Sequence, residues 1–193
     1  MRLSLLGLPL FLFPASSALA ATGLATAVFA GGCFWSNEHD LDAIPGVVKT
    51  VSGFAGGKVA RPSYEQVTEG GTGHLEAVKV TYDPRRISYA ELSRRFLRTI
   101  DPTDAGGQFC DRGAQYRTAL FPANPAERAA AIHSIRWAQQ KLHRKVVTEV
   151  RSAAPFWPAE DYHQDYARKN PVRYSLYRRG CGREPRVRAL WGA

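Results

Sequence analysis

The junction at residues 25–35 constrains this chain more than any other stretch. Ala25–Ala30 is an apolar run that stops at Gly31-Gly32, and Cys33-Phe34-Trp35 opens a helix-like segment reaching Ile44. A short apolar run ended by glycines reads as a buried strand, and Pro45-Gly46 closes the helix that follows. The chain therefore begins its fold as strand, sharp turn, helix, and such a unit has to be covered by further layers.

The alternation continues. Val47–Phe54 is strand-like, and Gly53, Gly56, Gly57 and Pro62 mark a loop. Ser63-x-x-Gln66 is a capping box for a short helix ending at Gly70-Gly71. His74–Tyr82 alternates as a strand, Asp83-Pro84 ends it, and Ser88-x-x-Glu91 starts a helix with Leu92, Phe96 and Ile100 on one face. Asp101–Gln115 reads as a glycine-rich loop and Tyr116–Phe121 as a strand. Asn124-Pro125-x-Glu127 starts the longest helix, with Ile132, Ile135, Ala138 and Leu142 inward. Val146–Arg151 reads as a last strand, Pro158–Lys169 as a short helix, and residues 171–193 as a tail without regular structure. With 193 residues, no internal repeat and no long linker, this is one α/β or α+β domain.

Residues 1–20 read as an address. Met1-Arg2, an apolar Leu3–Phe13 and Ala18-Leu19-Ala20 have the order of a cleavable secretory signal, cut after Ala20. Pro9 and Pro14 oppose a spanning helix, so periplasmic or secreted protein is expected, without stable membrane insertion. Residues 21–170 form the expected folded domain and residues 171–193 the tail. The net charge of +9 is concentrated in the tail, which holds six arginines and one acid, Glu184. Zinc-finger spacing, a helix-turn-helix signal and an RNA-binding aromatic motif are all lacking, so no nucleic-acid partner is expected.

Three cysteines are too few for a disulfide-built scaffold. Cys33 sits at a helix start, where free N–H groups and the helix dipole favour a thiolate. Local context leaves two readings open, a reactive thiol or a small buried hydrophobe. Glu76 shares a strand face with Val78, Val80 and Tyr82. Buried there, it would hold its proton and suit a general acid, whereas at a wet sheet end it would be ordinary.

Six motifs then occur in order. They are Gly32-Cys33-Phe34-Trp35; Pro62-Ser63-Tyr64 with Thr72-Gly73-His74-x-Glu76; Tyr82-Asp83-Pro84; Asp101-Pro102-Thr103; Asp111-x-Gly113-x-Gln115-Tyr116-Arg117; and Glu160-x-Tyr162-His163-Gln164-Asp165-Tyr166 with Lys169-Asn170-Pro171. Over residues 25–171 the chain closely resembles the peptide methionine sulfoxide reductase A family. The resemblance implies an α+β fold, a single-domain α/β plait with βαβ units on a mixed sheet, a ferredoxin-like core and long coil. It implies that Cys33 attacks the sulfur of a methionine S-sulfoxide, free or in oxidised proteins and peptides. Glu76 would protonate the oxygen, Tyr64 and Tyr116 would hydrogen-bond it, Phe34 and Trp35 would hold the methyl group, and Asp111 would order the polar side. A sulfenic acid on Cys33 then needs a second thiol, and an external dithiol such as thioredoxin would reduce the resulting disulfide.

Ser36, Leu75 and Thr68 stand where the family commonly has glycine, alanine and cysteine, and Cys110 replaces a residue that is usually not cysteine. Cys181, between Gly180 and Gly182, is the expected resolving thiol, swinging on a mobile arm to pair with Cys33 while Cys110 stays largely free. No cofactor and no metal are expected: His39, His133 and His143 have no ligand spacing, and His74 and His163 read as hydrogen-bonding supports. A monomer is expected. A cysteine hydrolase using His163 with Asp165, or a basic binding domain with a structural Cys33, are the rival readings.

Overall fold

The computed structural model describes residues 23–192, and the expected signal segment lies outside them. Strand β1 (Ala25–Gly31) leads into α1 (Phe34–Asp42), then β2 (Val47–Ala55), α2 (Tyr64–Glu69), β3 (Leu75–Tyr82) and α3 (Tyr89–Leu97). A two-residue hairpin, β4 (Gly107–Gln108) and β5 (Asp111–Arg112), lies in the expected glycine-rich loop. A 3₁₀ turn (Ala114–Tyr116), β6 (Thr118–Leu120) and α4 (Pro125–Leu142) follow. The chain closes with β7 (Glu149–Val150), β8 (Phe156–Pro158), a 3₁₀ turn (Asp161–His163), α5 (Tyr166–Lys169), α6 (Pro171–Gly180) and α7 (Arg183–Trp191).

Six strands form one sheet in the order β7-β6-β1-β3-β2-β8. Every pairing is antiparallel except β6 with β7. The central order β6-β1-β3-β2, with helices after β1 and β3, is the split βαβ plait, so the α+β reading holds.

The strand period of two sorts the core. Ala27 and Phe29 of β1, with Val78, Val80 and Tyr82 of β3, join the main cluster, to which Phe34, Leu92, Phe96 and Leu142 of the helices belong. Their alternates Ala30 and Ala77 join a smaller cluster with Ala55, Leu75, Ala119 and Phe121. Phe29, Phe54 and Phe96 are fully buried, each contributing about 1.5–3 kcal/mol by removal from water.

Five expectations are corrected. The inward face of α4 is Ala131, Ser134, Ala138 and Leu142, with Ile132 and Ile135 only half-buried. Small residues let α3 approach closely, and the Ser134 hydroxyl donates to Ala130 O at 2.9 Å and lies 3.3 Å from Ala90 O. The strand expected over 146–151 shrinks to β7, and Pro158, expected to start a helix, ends edge strand β8. Tyr116 lies in a 3₁₀ turn rather than a strand.

The fifth correction is the largest: residues 171–191 are two helices, not an irregular tail. Three of their six arginines are held by tertiary partners. Asp40 accepts Arg178 Nη1 at 2.8 Å and Arg183 Nη2 at 3.1 Å, and Asp101 accepts Arg186 Nε at 2.7 Å. Arg183 is buried, and its guanidinium lies 4.7 Å from the Phe109 ring centre. Trp191 anchors the end, stacked on Trp137 at 5.7 Å and donating to Ile100 O at 3.2 Å.

Candidate active site

The β1–α1 junction builds the site. A Cβ on Gly31 would meet Asn37 Oδ1 at 2.7 Å and the Phe96 ring at 2.8 Å, and Gly32 turns the chain at φ +84°. Both positions therefore require glycine. Asn37 locks the turn, its amide donating to Gly32 O at 3.1 Å and Cys33 O at 3.2 Å. Cys33 is the N-cap of α1, and Ser36 N and Asn37 N both donate to its carbonyl at 3.2 Å.

Glu76, opposite Phe54 in the β2–β3 ladder, is 1% exposed and accepts the Phe34 N–H at 2.9 Å. The carboxyl is thereby fixed against an otherwise unpaired N–H of the helix start, one residue from Cys33. Burial is the main cause that raises its proton affinity to about 8; Asp111 adds to this, and the Phe34 N–H opposes it. At neutral pH Glu76 is a carboxylic acid. The buried alternative of the two sequence readings is the one the fold adopts.

Cys33 is a free cysteine, 7% exposed. The expected thiolate is not the state of this structure. Burial drives the thiol's proton affinity far up, and the neighbouring charges of Glu76 and Asp111 add to it. The neighbouring Tyr177 hydroxyl and Trp35 backbone N–H work in the other direction and do not prevail. Desolvation of a charged sulfur outweighs the helix start here.

Aromatic rings wall the sulfur. Phe34 packs against Trp35 at 6.5 Å and Tyr64 at 6.2 Å. Trp35 stacks on Tyr166 at 3.7 Å, and its indole N–H donates to His163 Nδ1 at 3.0 Å. His163 thus supports the site as expected, whereas His74 supports a loop instead. Gly57 N–H donates to His74 Nδ1 at 3.1 Å, and Nε2 lies 2.7 Å from Val59 O. Tyr64 is set by its N–H to Glu160 Oε1 at 3.0 Å. Burial holds the Tyr64 phenol up to about 12 and pushes Tyr116 higher, with Glu76 a second cause in each case. Both remain proton donors near neutral pH. Asp111, raised chiefly by burial, accepts the Tyr177 hydroxyl at 2.5 Å.

Cys33, Phe34, Trp35, Glu76, Tyr64, Tyr116 and Asp111 are thus brought together, and Cys181 is not joined to Cys33. It is bonded to Cys110, with Cα atoms 4.8 Å apart. The expected mobile arm is the C-cap of α6, and Gly182 at φ +67° links α6 to α7. A cavity of about 470 Å³ opens beside this disulfide, lined by Asp101, Asp104, Phe109, Cys181 and Arg186 among others. Sequence reasoning missed Tyr177. The signal was there: Tyr174, Tyr177, Arg178 and Cys181 fall at i, i+3, i+4 and i+7, one face of a helix.

A free buried thiol beside a protonated carboxyl and two phenols, with a separate disulfide nearby, defines a thiol-chemistry centre on a split βαβ plait. The model of the peptide methionine sulfoxide reductase family matches residues 25–193, and the chain belongs to that family. It is 54% identical to peptide methionine sulfoxide reductase MsrA 2 of Rhizobium meliloti over 86% of this chain and 83% of that protein. To MsrA 2 of Caulobacter vibrioides it is 49% identical over 91% and 89% of the two chains. The solved methionine sulfoxide reductase A of Corynebacterium diphtheriae superposes with a TM-score of 0.73 at 34% identity, covering 79% of this chain and 77% of that one.

Proposed function

We propose that this protein reduces the S-sulfoxide of methionine, free or in oxidised proteins, with Cys33 as the attacking sulfur. The observation that carries this reading is Glu76, a buried acid protonated up to about pH 8 and fixed beside Cys33 by the Phe34 N–H. A sulfoxide is neutral, and its oxygen has to gain a proton as the S–O bond breaks. Glu76 supplies that proton while Tyr64 and Tyr116 donate hydrogen bonds to the oxygen. Phe34 and Trp35 enclose the methyl group, and Asp111 orders the polar side.

Attack by the Cys33 sulfur on the substrate sulfur releases the thioether and leaves the hydroxyl on Cys33 as a sulfenic acid. The sulfoxide gains two electrons, Cys33 loses two, and the Cys33 thiol proton restores Glu76. One thiol of the Cys110, Cys181 pair condenses with the sulfenic acid and releases water. Attack by the other moves the disulfide outward and frees Cys33. The Cys110–Cys181 bond is then the final oxidised form, and a thioredoxin-type dithiol reduces it with no cofactor in the protein. Cys110 is exposed and a cavity adjoins Cys181, which suits attack from outside.

We infer export to the periplasm or beyond from the order of charge, apolar run and small residues in 1–20. An intact Met1 on protein recovered from the cytoplasm alone would overturn that. The central test gives the protein S and R epimers of methionine sulfoxide separately, with dithiothreitol. Turnover of S alone is expected, and equal use of both, or of neither, would overturn the assignment.

A further inference from the structure

Helix α6 lays one face on the site, and each residue of that face has a partner there. The Tyr174 hydroxyl accepts from Arg178 Nη1 at 2.7 Å, and its ring lies 5.3 Å from that of His39 in α1. Arg178 reaches Asp40 at 2.8 Å, and Cys181 is bonded to Cys110. Tyr177 reaches furthest in. Its hydroxyl donates to Asp111 Oδ2 at 2.5 Å beside the Cys33 sulfur, whose proton affinity it lowers, and its ring stands edge-on to Trp35 at 6.0 Å.

The anchor and the tyrosine are in register. Cys181 and Tyr177 are one helical turn apart, the Cys181 N–H donating to Tyr177 O at 2.9 Å. Their partners, Cys110 and Asp111, are adjacent in sequence. Closing the disulfide therefore holds the Tyr177 hydroxyl against Asp111 and Cys33.

A reacting sulfoxide needs its sulfur within about 3–3.5 Å of the Cys33 sulfur. It also needs the face of Trp35 and the polar side near Asp111. Tyr177 engages all three. We propose that Tyr177 is a redox-positioned plug: the Cys110–Cys181 disulfide seats it in the place of the substrate, and reduction of that disulfide releases it. Reduction takes two electrons and two protons from an external dithiol, which becomes a disulfide, and leaves two thiols at Cys110 and Cys181. In the closed form Cys33 is a thiol under cover. Substrate is admitted only to an enzyme whose two outer thiols are ready to resolve a sulfenic acid.

The proposal rests on the reading of Cys33 as the nucleophile, but its test uses no sulfoxide and so fails or succeeds separately. Iodoacetamide labelling at pH 7.5, read on the peptide carrying Cys33, is compared between the disulfide-bonded protein and protein reduced with dithiothreitol and desalted. Cys33 should be labelled at least about tenfold faster after reduction, each factor of ten being 1.4 kcal/mol of closing free energy. In Tyr177→Ala with the disulfide intact, Cys33 should be labelled fast in both states. The double variant Cys110→Ser, Cys181→Ser should match the reduced wild type, and it keeps the test open if Tyr177→Ala fails to fold. Equal Cys33 rates in the two states of the wild type would overturn the plug. A slow rate in folded Tyr177→Ala would overturn the assignment to Tyr177.

Discussion

The β1–α1 junction and the α6–α7 segment meet at Cys33, yet they are held by different forces. Around the junction the partners are apolar. Phe34 lies 5.7 Å from Phe54, and Phe29 stacks on Phe96 at 4.9 Å, all four fully or nearly fully buried. The α6–α7 segment, apart from Trp191 stacked on Trp137 at its end, is fixed by charge: Arg178 and Arg183 share Asp40, and Arg186 takes Asp101. Apolar burial is cumulative and resists local opening, whereas a few ion pairs and one disulfide can be undone together. A rigid wall carries the acid and the nucleophile, and a separable segment closes over them.

The comparison can be broken first at the sulfur. Cys33→Ser is expected to lose reductase activity below detection while thermal unfolding stays near that of the wild type, since only the reacting atom changes. Normal turnover would remove Cys33 from the mechanism. Next comes Glu76→Gln, expected to lower kcat by about 10²–10⁴ with a smaller change in KM. Its stability should move the other way. Glu76 holds its proton to about 8 in the fold against an ordinary 4.5. Between those values the folded protein keeps a proton that the unfolded chain has lost, so stability falls as pH rises through that window. Urea titrations at pH 5 and pH 8 should show this decline in the wild type and a shallower one in E76Q. Parallel curves would mean that Glu76 is ionised in the fold.

Asp40→Ala separates the two regions by leaving Arg178 and buried Arg183 without their shared carboxylate. Breaking a buried pair from one side costs about 3–5 kcal/mol. That loss should fall on α6–α7, where amide hydrogen exchange accelerates while β1 and β3 amides keep their protection. Equal acceleration in both would show a single cooperative unit. The smallest effect sharpens the contrast between covered and uncovered charge. Arg95 and Glu91 form an exposed i,i+4 pair at 2.9 Å, and Arg95→Ala should cost only about 0.3–0.5 kcal/mol by urea denaturation.

The two regions also differed in how far they could be read in advance. In the first, hydrophobic period, glycine stops and caps agreed. The Ser63–Gln66 capping box forms as read, with Ser63 Oγ accepting Gln66 N–H at 3.2 Å and Gln66 Oε1 accepting Ser63 N–H at 2.9 Å. Glu76 falls on the face that its alternation with Val78 and Val80 demanded. In the second, a stretch with six arginines lacks any apolar run, which reads as a tail without regular structure. Its structure depends on Asp40, Asp101 and Phe109, residues some seventy or more positions away, and no local pattern encodes such partners.

Sequence alone determined the strand–turn–helix that presents Cys33, the strand face that Glu76 shares with Val78 and Val80, and the family motifs that carry the site, because each is written in near-neighbour spacing. Tertiary structure alone decided the protonation of Cys33, since the desolvation that overrides the helix start comes from every element packed around it. It also decided which thiols pair. Cys110 lies 71 residues from Cys181, and only the docking of α6 beside the β4–β5 hairpin brings their Cα atoms to 4.8 Å.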